Sequence, residues 1–68
     1  MKMKKSKCIK LYQLMIEYGG RPTENILKDY FSMEEAMEIS RQLNIGKMAT
    51  FTDSQLIAMA KKTLEKIM

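Results

Sequence analysis

The chain has no histidine, no tryptophan, one cysteine, one proline, three glycines and only two arginines. Each scarcity removes a class of answer. Without histidine, the common zinc sets lose a ligand type and the most frequent general base is missing. Cys8 stands alone, so it closes no internal disulfide and completes no thiolate cluster. A lone thiol fits a reducing, cytoplasmic setting. Gly19, Gly20 and Gly46 are too dispersed to form a phosphate-cradling loop. No long apolar run is present either. "MKMKKSKCIK" opens like a secretory signal, but Glu17 and the Gly-Gly pair interrupt the apolar stretch after it, so no membrane span is expected. With only Arg21 and Arg41, base-specific reading of nucleic acid is poorly supplied.

What is present is a short, lysine-rich, methionine-rich chain. Its 68 residues make a single domain with a marginal core, since a chain of this size buries only about 60% of its extended surface. With disulfide and metal excluded, tight helix packing or a second copy of the chain must supply the missing stability, which favours a homodimer. Net charge is +4, but it is unevenly spread. Residues 1–10 carry five lysines and no acid. Residues 23–46 carry five acids against Lys28 and Arg41, a balance of −3. Residues 47–68 return to +2, with four lysines against Asp53 and Glu65. Basic ends flank an acidic middle, so anion binding belongs at the ends.

Apolar spacing and caps predict an all-α fold, a small orthogonal bundle of three to four short helices. Residues 1–4 are expected as a basic, flexible tail and 5–68 as one helical domain. A first helix over 5–18 carries Cys8, Leu11, Tyr12, Met15 and Tyr18 at helical spacing and stops at Gly19. A second, over 23–31, starts at Thr23 and turns Ile26, Leu27, Tyr30 and Phe31 inward. Ser32 and Glu35 form a capping box that opens a third helix over 33–43, with Ala36, Met37, Ser40 and Leu43 on one side. A continuous kinked helix through Ser32 is the alternative. Asn44 and Gly46 can adopt positive φ and end the third helix. "KMATF" leans toward a loop or short extended segment. Thr52 and Gln55 form a second capping box, and a helix over 53–67 comes next with Leu56, Met59, Ala60, Leu64 and Ile67 buried.

Catalysis finds no support in these residues. Glu34, Glu35 and Glu38 read as a solvated face plus a cap, not an acid/base pair, and no cofactor or metal is expected. The segment from Ile39 to Ile57 resembles a helix-turn-helix in its first half. Ile39 and Leu43 are apolar, Ser40 is small, Asn44 stands at the turn and Ile45 is the plug. The second half departs from the motif. Thr50 and Asp53 fall where buried residues belong, and the cap at Thr52 comes too late for a turn of three to four residues. The first helix could lie on an anionic bilayer, but the same stripe is needed for the core.

Two functional readings survive. The first is a small non-enzymatic intracellular regulator or adaptor. It would bind another protein, or a second copy of itself, through an apolar surface near residues 44–52, built from Met33, Met37, Ile45, Met48 and Phe51. Eight methionines favour it, because methionine adapts to irregular partners. The second is a DNA-binding regulator. There Lys4, Lys5, Lys7, Lys47, Lys61 and Lys62 would hold phosphates while Ser54 and Gln55 approach base edges.

Overall fold

A computed structural model describes residues 4–68. Four helices succeed one another: α1 (Lys5–Glu17), α2 (Glu24–Lys28), α3 (Met33–Asn44) and α4 (Asp53–Ile67). No strand occurs among the described residues. The all-α bundle read from the sequence is therefore the fold. Of the basic tail expected at 1–4, only Lys4 falls within the described residues, where it holds the N-cap position of α1. Its carbonyl accepts from the N–H groups of Lys7 and Cys8, each at 3.0 Å.

Leu11, Leu14 and Met15 form the buried face of α1. Tyr18, expected on that stripe, is instead the C-cap residue and 44% exposed. The helix closes at Glu17: the Tyr18 N–H still bonds the Leu14 carbonyl at 2.9 Å, but the backbone departs from helical geometry at Tyr18 itself, with φ −107° and ψ 23°. Gly19 takes φ +80°, and the Gly20 N–H donates to the Met15 carbonyl at 2.6 Å, the long bond of a Schellman cap. Gly20, at φ +101°, is pressed against α4. A Cβ there would stand 2.7 Å from the Asp53 carbonyl oxygen. The end of α1 thus meets the start of α4, and the two helices pack along each other in opposite directions.

α2 is shorter than its sequence pattern suggests. The N–H groups of Asp29 and Tyr30 bond three residues back, to Ile26 at 3.2 Å and Leu27 at 3.1 Å. That tightening from the α to the 3₁₀ repeat rotates the next side chains. Phe31 is buried at 6% exposure, while Tyr30, expected inward, is 48% exposed. Outside the core, the Tyr30 ring meets the Lys10 ammonium at 4.8 Å. Ser32 is extended and caps α3, so α2 and α3 are separate helices.

Both capping boxes are formed. Ser32 and Glu35 exchange bonds of 3.0 and 3.2 Å, and Thr52 and Gln55 exchange bonds of 2.9 and 3.2 Å. α3 packs on α2 and buries Ala36, Ile39 and Leu43. Met37, expected on that side, is one residue beyond Ala36 and about 100° around the helix, and is 55% exposed. The core joins these residues to Leu27, Phe31, Leu56 and Ala60, with Tyr12, Ile16, Ile26, Met48 and Met59 packed around it.

The connection over 45–51 is neither a tight turn nor an extended segment. It is a run of successive turns. Ile45 and Gly46 both donate to the Arg41 carbonyl, at 2.7 and 2.8 Å, and Met48 donates to that of Gln42 at 3.1 Å. Ala49 and Phe51 then bond three residues back, at 3.1 and 3.2 Å. Neither Asn44 nor Gly46 takes positive φ. Glycine at 46 supplies room instead, since a Cβ would sit 2.9 Å from the Gln42 Cα.

Candidate interaction surface

The last carbonyls of α3 have no helical partners and must find others. Amides of the 45–51 turns satisfy Arg41 and Gln42. Arg21 satisfies Leu43: its guanidinium donates to the Leu43 carbonyl and also to the Phe51 carbonyl. It bonds Asp53 Oδ1 at 3.0 Å and lies 3.5 Å from the Met48 carbonyl, the outer limit of a hydrogen bond. One side chain from the α1–α2 connection therefore ties down the α3–α4 loop. Arg21 carries no sequence signal for this role, because its main partners are backbone carbonyls.

This latch decides where the candidate side chains go. Met33 and Met37 stand one turn apart on the outer face of α3, 65% and 55% exposed. Ile45, just past the helix end, is 79% exposed. Met37 and Ile45 line one open groove of about 520 Å³ with Glu24, Glu34, Glu38 and Arg41. Met48 does not join them. The turns fold it back, half-buried, into a recess of about 280 Å³ beside Leu11, Tyr12 and Leu43. Phe51, 41% exposed, lies in a third recess with Gln55 and Met59. The single Met/Phe patch expected near 44–52 is thus three places, of which the α3 face is the most exposed.

Glu24, Glu34 and Glu38 line that groove, and two of them are paired, Glu24 with Lys28 at 3.7 Å and Glu38 with Arg41. Glu38 accepts from Arg41 at 2.7 and 3.1 Å and from Gln42 at 3.0 Å. These bonds, Arg41 first, hold its carboxyl below the usual range. Glu35 accepts from the Lys7 ammonium at 2.6 Å and from the Ser32 amide, which lowers its pKa to about 2. The Glu34 carboxylate is exposed and makes no hydrogen bond or ion pair among the described residues.

The residues considered for nucleic acid separate. Lys4 and Lys5 begin α1, Lys61 and Lys62 lie in the second half of α4, and the opposed helix directions bring these four toward one end of the pair. All four are exposed and make no ion pair among the described residues. Ser54 and Gln55 lie at the other end of α4, and Lys47 lies in the loop. Lys7 is engaged by Glu35 and stands 5.9 Å over the Phe31 ring. Gln55 is occupied by its capping box.

Comparisons with protein-family models, curated proteins and solved structures found no match. Among the described residues, no group of three potential ligands gathers to hold a metal ion. No helix among them is long and apolar enough to cross a membrane.

Proposed function

We propose that this chain acts by binding another protein through the outer face of α3 and Ile45. One observation carries the reading: three large apolar side chains, Met33, Met37 and Ile45, stay more than half exposed on one side of a 68-residue chain. A small domain has little apolar surface to spare, and leaving this much in water costs stability unless a partner covers it. Two of the three are methionines, whose unbranched thioethers fit irregular surfaces. The turns at 45–51 and the Arg21 latch hold Ile45 beside the helix, so the face is already formed before binding.

The test is capture of binding proteins from the source cell by the wild-type chain and by a Met37→Lys, Ile45→Lys double variant. Both positions are exposed, so circular dichroism should show unchanged helix content. Specific captured proteins should be lost from the variant. Equal capture by both chains would refute the reading.

A nucleic-acid reading keeps one supporting observation. Lys4, Lys5, Lys61 and Lys62, without an ion pair among the described residues, gather toward one end of the α1–α4 pair. Such a site would hold phosphates and read no bases. Its binding would weaken steeply with salt, and no gel shift at low ionic strength would end it.

A further inference from the structure

We infer that the occupant of the α3 face is a cationic amphipathic helix, with lysine or arginine flanking an apolar stripe. The inference rests on the protein-binding reading and concerns the chemistry of the partner. Met37 and Ile45 form the apolar floor of the groove, and Glu24, Glu34 and Glu38 stand around it. Among the described residues, Arg41 is the only base lining it; it pairs with Glu38 at 2.7 Å, and Glu24 pairs with Lys28 at 3.7 Å. Glu34 has no ion-pair partner among the described residues. An apolar stripe inside an acidic rim is complementary to an apolar stripe inside a basic rim.

The same rim argues against a second copy. A two-fold dimer through this face would bring together two grooves that each carry three acids, Glu24, Glu34 and Glu38, against one base, Arg41. Like charges across an interface oppose association. Nor can the chain offer its own basic helix, because Leu11, Leu14 and Met15 of α1 are committed to the core. The partner must bring both the positive charge and the apolar stripe.

The test is a fluorescence anisotropy titration with a labelled amphipathic peptide of leucine and lysine, beside its leucine–glutamate counterpart. The intact chain should bind the lysine peptide and not the glutamate one. Glu34→Lys should weaken binding about tenfold, and Glu34→Gln by a smaller factor in the same direction. Met37→Lys should abolish it. Raising salt should weaken binding of the wild type more than that of Glu34→Lys. Binding of the lysine peptide that ignores Glu34 and Met37 would overturn the inference, as would equal binding of both peptides. No peptide binding, with self-association by light scattering that Met37→Lys removes, would overturn the cationic partner while sparing the interaction face. Neither peptide binding nor self-association, with specific captures that the Met37→Lys, Ile45→Lys variant still makes, would overturn both.

Discussion

Replacing Arg21 by alanine should destabilise the fold far more than its surface location suggests. The guanidinium bonds the carbonyls of Leu43 and Phe51 and the Asp53 carboxylate. A hydrogen bond to a charged group contributes about 1.5–3 kcal/mol when sheltered. The Asp53 side chain is 64% exposed, so that ion pair is worth about 1 kcal/mol or less. The Arg21 side chain is only 23% exposed, and without it the Leu43 carbonyl loses its partner at the helix end. Together the loss comes to about 2–3 kcal/mol. At roughly 0.05–0.15 kcal/mol per residue, a chain this short has about 3–10 kcal/mol in total. Thermal unfolding followed by circular dichroism should show Tm falling by roughly 10–20 °C. Amide hydrogen exchange should accelerate over 45–51 before it does over α1 or α4. Arg21→Lys should recover less than half the loss, because one ammonium cannot span carbonyls on both sides of the loop. Full recovery by lysine, or an alanine variant within about 0.5 kcal/mol of wild type, would refute the latch.

Two further results are expected. Gly19→Ala meets open space and suffers only backbone strain, about 1–2 kcal/mol, whereas Gly20→Ala adds a collision with Asp53 and should cost about 2–5 kcal/mol in urea unfolding. Equal losses would mean that α1 and α4 do not touch there. Glu35 has its folded pKa depressed from 4.5 to about 2, so its contribution is complete above 4.5 and disappears as pH falls toward 2. Glu35→Gln should therefore flatten the acid limb of the stability curve in that window, and an unchanged limb would exclude the Lys7 contact as its cause.

The elements most legible in the sequence are those with a local chemical signature. Thr52 with Gln55 and Ser32 with Glu35 locate the starts of α4 and α3, because a capping box is a contact between residues three apart. Gly19 likewise marks the end of α1. The features that escape are decided at a distance. Tyr30 turns outward because α2 tightens as Phe31 is drawn into the core. The loop at 45–51 folds into turns because Arg21, more than twenty residues earlier, holds its carbonyls. Met33, Met37 and Ile45 are legible as candidates from type alone, but separating them from Met48 requires knowing which way the loop folds.

The pairing of α1 with α4 also has a consequence for synthesis. α1 emerges first, and its packing partner arrives only after α2, α3 and their connections. At roughly 5–20 residues per second, some 2–10 seconds pass between completion of the two helices. During that interval Leu11, Leu14 and Met15 lack Leu56 and Ala60 to close over them. The nascent chain thus displays a greasy, lysine-studded segment whose apolar side the finished protein conceals, and any chaperone that attends this chain would meet it there.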